Sequence, residues 1–262
     1  MQNLFFLQKK TLSIHKEGKG KNIMSKVKNV LLKVLGPLFL SESKVVSNER
    51  LSPHFQFLTI KGKSFKKSEW IPGQKIQVRL SDDIMRSYTP SSWDRQNGVV
   101  QTLVYMHGKG PGALWARDAK PGSKATILGP RGSLVLSEEL KEVVFFGDET
   151  TFGLAYAIKE NFKQLSVRCF FENTDLRESK PVLERFNLQD STLYTLSQYD
   201  IIASDIARGY QSSTTSKIVL SGKQQSIVAI RQKLYTLGIL PEDIIVKVYW
   251  GWKDDPNGKL KK

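Results

Sequence analysis

Val143-Val144-Phe145-Phe146-Gly147-Asp148-Glu149-Thr150-Thr151-Phe152-Gly153 divides this chain into two kinds of sequence. Four apolar residues in a row, ended by Gly-Asp, read as a strand buried on both faces, the mark of a parallel sheet. A helical stretch follows to Phe162. Strand-like runs recur at 166–171, 192–196, 217–220 and 244–249, with helical stretches between them, the clearest at 223–237. That alternation predicts a doubly wound, five-stranded parallel sheet.

Before Val143 the period differs. Short runs at 44–47, 54–60, 74–80, 86–91, 98–105 and 124–128 are each bounded by Gly, Pro, Asn or Asp. Six strands at such intervals predict a small antiparallel barrel, closed by Gly129-Pro130-Arg131-Gly132. The boundary between the two domains is expected near 134–140. The expected organisation is a tail and short helix over 1–41, a barrel over 42–136, an α/β domain over 137–253 and a basic tail over 254–262. Residues 1–23 have no periodicity and read as a disordered tail. Leu4-Phe5-Phe6-Leu7 is too short for the apolar core of a signal peptide. Residues 27–40 have helical apolar spacing interrupted by Gly36-Pro37, and fall short of the ~20 residues that span a bilayer. A helix packed on the body is expected there, in preference to membrane-surface attachment, and no transmembrane segment.

Lys and Arg outnumber Asp and Glu by 40 to 25 in 262 residues, a net charge of +15. Such an excess implies an anionic partner. The basic residues are scattered, without the basic helix and interleaved aromatics of nucleic-acid modules, so no nucleic acid is expected. The single cysteine, Cys169, excludes an intrachain disulfide and suits a reducing cytosol, in a buried strand. His15, His54 and His107 are too far apart for metal-ligand spacing. Any redox chemistry therefore falls to an organic cofactor. The protein is expected to be cytoplasmic and monomeric.

Two further stretches carry chemistry. In Arg86-Ser87-Tyr88-Thr89, strand alternation sends Arg86 and Tyr88 to one face and Thr89 to the other. The set offers a ring to stack on a flat heterocycle, a guanidinium for phosphate and a hydroxyl for a ring heteroatom. His107-Gly108-Lys109-Gly110-Pro111-Gly112-Ala113-Leu114-Trp115-Ala116 is a glycine loop running into a helix, where free backbone N–H groups suit phosphate. It lacks the Lys-Ser/Thr of a Walker loop.

These motifs, with Gly147-Asp148-Glu149-Thr150 and Tyr249-Trp250, occur in the order found in siderophore-interacting proteins. Over residues 42–253 the chain resembles that family, the flavin-dependent ferric-siderophore reductases of the ferredoxin–NADP reductase-like superfamily. The resemblance implies an FAD-binding barrel and an NAD(P)-binding-like sheet. It places Tyr88 on the isoalloxazine, with Ser87 and Thr89 alongside and Thr89 at its polar edge. It places Arg86 and the backbone of Gly112, Ala113 and Leu114 at the pyrophosphate, with Trp115 behind and His107 close to the flavin. Gly147, Asp148, Glu149 and Thr150 would line the nucleotide crevice, with Trp250 at the flavin's outer face. Lys253 would help dock an anionic ferric siderophore. Glu172 could accept a ribose hydroxyl, while Arg177 and Lys180 could meet a 2′-phosphate. The implied activity takes electrons from NADPH or NADH through FAD to a ferric chelate. Ferredoxin as donor, or a non-enzymatic flavin-binding module, are the alternatives. The chain departs from the family pattern at Ala113 (usually Ser), Gly251 (usually Arg) and Ser221-Gly222-Lys223 (usually Ala-Gly-Glu), the last reversing a charge.

Overall fold

The structure, a computed structural model, describes residues 41–132, 134 and 136–251. The expected N-terminal tail, the helix over 27–40, Lys253 and the C-terminal tail lie outside the described residues. Among the described residues, no helix is long and apolar enough to cross a membrane. From Glu42 onward the chain forms one compact unit containing two sheets.

The first sheet is antiparallel. It contains β1 (Ser41–Ser52), β2 (Phe55–Gly62), β3 (Lys75–Arg79), β4 (Met85–Tyr88), β5 (Ser92–Asp94), β6 (Val99–Tyr105) and β7 (Lys124–Arg131). Helix α1 (Pro111–Asp118) lies between β6 and β7, and the spatial order is β4-β3-β7-β1-β2-β6-β5. Six expected strands become seven because 86–91 is not one strand. Pro90 has no N–H to give to a ladder, so pairing lapses there and resumes with a different neighbour. Tyr88 stands opposite Ile76 on β3, whereas Ser92 stands opposite Gln101 on β6. Thr89-Pro90-Ser91 thus links the two edges of the sheet. β1 is 12 residues long, where only 44–47 is expected. Register shifts at Val45/Ser47 and Arg50/Ser52 break the two-residue period by which a strand shows itself in sequence.

The second sheet is parallel, with β8 (Glu142–Asp148), β9 (Ser166–Asn173), β10 (Thr192–Thr195), β11 (Ser216–Lys223) and β12 (Ile244–Trp250) in the order β10-β9-β8-β11-β12. Between them run α2 (Phe152–Asn161), α3 (Leu176–Arg185), α4 (Tyr199–Gly209) and α5 (Gln224–Thr236). The apolar run of β8 is unbroken because both faces are covered. Val143 and Phe145 pack with residues of α2 and α3, and Val144 and Phe146 with residues of α4 and α5. Each such Phe contributes roughly 1.5–3 kcal/mol by its burial. The α2–α3 layer also takes in Phe55 and Leu103 from the barrel, together with Leu134, Leu136 and Leu140. The segment between the sheets is therefore part of a shared core. Cys169 is buried there, and burial pushes its thiol up to about 12. Strand order reverses between β8 and β11, and the carboxyl ends of the strands at such a point form the ligand crevice of doubly wound sheets.

Candidate functional site

β4 and α1 are built against each other. Tyr88 Oη donates to Gly112 O at 3.0 Å, and its ring lies 5.4 Å from that of Trp115, tilted by 37°. A Cβ on Gly112 would come within 2.8 Å of Tyr88 Oη and 3.2 Å of Arg86 Cγ, so only glycine allows this approach. Burial raises the Tyr88 phenol above its ordinary range, although Arg86 draws it down, and the hydroxyl remains a donor. Arg86 donates one N–H to Met85 O at 3.0 Å. Ahead of α1, Gly108 and Gly110 border open space. Pro111 has no N–H, and Leu114 N closes the first turn on Gly110 O at 3.1 Å. The turn thus offers the amides of Gly112 and Ala113, and Leu114 drops out of the expected set of donors. Alternation turns Ser87 to the side of β4 away from Tyr88, where it is exposed and accepts from Gln77 Nε2 at 3.3 Å.

The end of β12 meets this surface. Thr89 and Tyr249 share a hydroxyl–hydroxyl bond of 2.6 Å, and burial raises the Tyr249 phenol. Trp250 stacks on His107 with centroids 4.6 Å apart and planes within 22°. Burial against this surface lowers the His107 pKa. Two consecutive residues of β12 thus contact the barrel, Tyr249 at Thr89 and Trp250 at His107.

On the sheet side the carboxylates point inward. Asp148 is buried and accepts from Thr150 N at 2.9 Å, Thr150 Oγ1, Lys223 N at 2.7 Å and Trp250 Nε1 at 2.9 Å. Burial raises its pKa, and these donors pull the other way. Glu149 is buried, its pKa raised by desolvation, and it accepts from Thr174 N. Glu172, a candidate for a ribose hydroxyl, is only 1% exposed and accepts from Ser197 N at 2.8 Å and Ser226 Oγ at 2.5 Å. Its carboxylate joins strand and helix ends and is not free for a sugar. Gly147 is buried under Thr151, and Thr150 is half-buried. Arg177 is exposed and pairs with Asp175 at 3.0 Å, while Lys180 is exposed.

One cluster escapes the sequence. Lys75 of β3 stands opposite Arg131 of β7, one residue beyond the Ile76 that faces Tyr88. Lys247 precedes Tyr249 by two residues on β12 and so shares its side of the strand. Burial and the nearby Lys75 charge hold Lys247 down to about 8, while burial and Arg131 lower Lys75. Among the described residues, none of the three has a carboxylate at ion-pair distance.

Residues 77–134 match the siderophore-interacting FAD-binding domain. The match begins in β3 and ends just beyond β7. Within the matched residues lie Arg86, Tyr88, Thr89, His107 and the Gly112 turn. An NADPH-dependent ferric-chelate reductase of Escherichia coli (strain K12) is 32% identical over 83 residues, covering 32% of this chain and 32% of that protein. The matched stretch therefore spans less than two thirds of that relative's length. The siderophore-interacting protein from Acinetobacter baumannii superposes with a TM-score of 0.66 at 20% identity, over 83% of this chain and 92% of that one. A ferredoxin NADP+ reductase from Neisseria gonorrhoeae with bound FAD and NADP gives 0.67 at 11% identity, over 81% and 99%. The chain shares their two-sheet fold.

Proposed function

We propose that the protein is an FAD-dependent ferric-siderophore reductase that passes electrons from a nicotinamide nucleotide to an anionic ferric chelate. The residues present fit FAD. Arg86 retains guanidinium donors beside the Gly112 and Ala113 amides, which suits a diphosphate, and Tyr88 offers a ring backed by Trp115. Ala113 supplies no hydroxyl, a loss of about 1 kcal/mol relative to Ser if one hydrogen bond is missing. Bound there, FAD would supply a redox centre that accepts electrons in a pair and releases them singly. His107 and Trp250 stack where the end of β12 meets the barrel.

The observation that carries the choice of acceptor is the cluster Lys75, Arg131 and Lys247, three cations with no carboxylate at ion-pair distance among the described residues, on the side of β12 that carries Tyr249. Such an arrangement attracts anions and is strengthened by partial desolvation. Once reduced, iron binds hard-oxygen ligands far more weakly and leaves the chelate, so no side chain has to act as an acid. The test is stopped-flow reoxidation of the NADPH-reduced, FAD-loaded protein. Replacing all three cations by Gln is expected to slow reoxidation by an anionic ferric chelate tenfold or more and to spare a neutral quinone. Equal slowing with both acceptors would remove the ferric chelate from the proposal.

A further inference from the structure

We infer that Lys223 contacts the diphosphate of the nicotinamide dinucleotide, which makes it a determinant of affinity for either form of that donor. The inference rests on the reductase reading above. Lys223 is the last residue of β11, at the point beside β8 where strand order reverses. Gly222 has φ +105°, and a Cβ there would lie 2.5 Å from Asp148 Oδ2. That turn aims Lys223 N at Asp148 Oδ2, at 2.7 Å. The same oxygen takes Trp250 Nε1, so one buried carboxylate fixes both the Lys223 backbone and the Trp250 ring.

The side chain is placed differently from the backbone. Lys223 Nζ lies 5.5 Å from the centre of the Trp250 ring, and no carboxylate is at ion-pair distance among the described residues. The acids nearest this end of the sheet are already engaged: Asp148 by its four donors, Glu149 by Thr174 N, and Glu172 by Ser197 and Ser226. The crevice wall is therefore an aromatic face with an ammonium over it, the nearest carboxylate, Asp148, being held by its own donors. Lys223 is also the N-cap residue of α5, whose first turn has no side-chain cap.

The Trp250 contact decides which phosphate is meant. Trp250 stacks on His107 of the barrel, so Lys223 stands at the end of the crevice nearest the barrel. A nicotinamide must approach that end, with the diphosphate following it. The adenosine, with or without a 2′-phosphate, extends away toward β9 and β10. Lys223 should therefore serve NADH and NADPH alike.

The test is calorimetric titration of the full-length, FAD-loaded protein with NAD+ and with NADP+, comparing wild type, Lys223→Gln and Lys223→Glu. Flavin content and Tm serve as folding controls. Lys223→Glu is expected to weaken both nucleotides by the same factor, tenfold or more, with Lys223→Gln between it and wild type. Unchanged affinity in variants that retain wild-type flavin content, with reduction by nucleotide still proceeding, would overturn this inference and leave the reductase reading standing. A loss confined to NADP+ would also overturn it, because that outcome assigns Lys223 to the 2′-phosphate. Wild-type protein that binds neither nucleotide would sink both readings. Should the Glu variant lose its flavin or its fold, the Gln variant alone decides, by the same criterion.

Discussion

The two sides of the crevice treat their polar groups in opposite ways. On the barrel side, Arg86 makes one bond to Met85 O, the Gly112 turn leaves two amides outside the helix ladder, and Lys75 and Arg131 have no carboxylate at ion-pair distance among the described residues. On the sheet side, Asp148, Glu149 and Glu172 are each 4% exposed or less and fully engaged with protein donors. Buried carboxylates of this kind cannot exchange partners for a ligand without leaving donors unsatisfied. The difference teaches that similar-looking motifs divide the work. The Arg-x-Tyr-Thr strand and glycine loop would present groups to the proposed flavin, while Gly-Asp-Glu-Thr ties the strand ends into a rigid rim. On the proposed reading, recognition on the sheet side falls to Lys223, Thr150 and the Trp250 ring.

The largest effect expected from this contrast is at Asp148. Asp148→Ala would strand the donors of Thr150, Lys223 and Trp250, at a combined loss of about 3–5 kcal/mol, since each buried unsatisfied group costs about 1–3 and such losses do not add in full. Denaturant unfolding of the apoprotein measures it, and Asp148→Asn should fall between because one of its atoms is a donor. A loss below about 1 kcal/mol would mean that the rim is not held by this carboxylate.

The matching change on the barrel side should do the reverse. Arg86→Ala removes a half-buried donor with a single backbone bond, so unfolding free energy should move by about 1 kcal/mol or less. Flavin affinity should fall roughly ten- to a hundredfold, the equivalent of one charge-assisted bond of about 1.5–3 kcal/mol. The check is the flavin-to-protein ratio after gel filtration. A protein that keeps its flavin but loses stability would invert the contrast.

How much of this was legible in the sequence follows from what each feature depends on. The parallel sheet could be read because Val143–Phe146 and its successors are contiguous, and burial on both faces leaves an unbroken apolar signature. Tyr88, Trp115 and His107 were recognisable from local motifs whose spacing the chain preserves. The split at Pro90 was readable in principle, since a residue without an N–H cannot sit inside a paired strand. The bulges of β1 were not, because nothing local marks an extra residue. Glu172 looked free for a sugar because its partners, Ser197 and Ser226, come from later loops and helices. The Lys75–Arg131–Lys247 cluster was invisible for the same reason. It exists only after β3 pairs with β7 and β12 closes on the barrel.

That cluster supplies the smallest effect, and the one that depends on pH. Lys247 is held down to about 8, chiefly by burial and then by Lys75, against an ordinary value of 10.5. Between about pH 8 and 10.5 the unfolded chain therefore binds a proton that the folded chain does not. Stability should rise with pH across that window and be flat below it. The slope should be well under the roughly 1.4 kcal/mol per pH unit of a fully shielded group, because Lys247 is only half-buried. An anion bound there favours the ammonium and raises its pKa again, so anion affinity should have the opposite trend, full below pH 8 and falling above it. Affinity for an anionic ferric chelate is expected to drop a few-fold from pH 7 to pH 9. Lys247→Met should lower the affinity at pH 7 and flatten the profile, while Lys75, also lowered, leaves a residual slope. Titrating chelate-induced fluorescence quenching across that range measures both chains. If the wild-type profile is flat, the three cations do not act as an anion site. The barrel side would then hold its charges only as the sheet side holds its acids, as part of the frame.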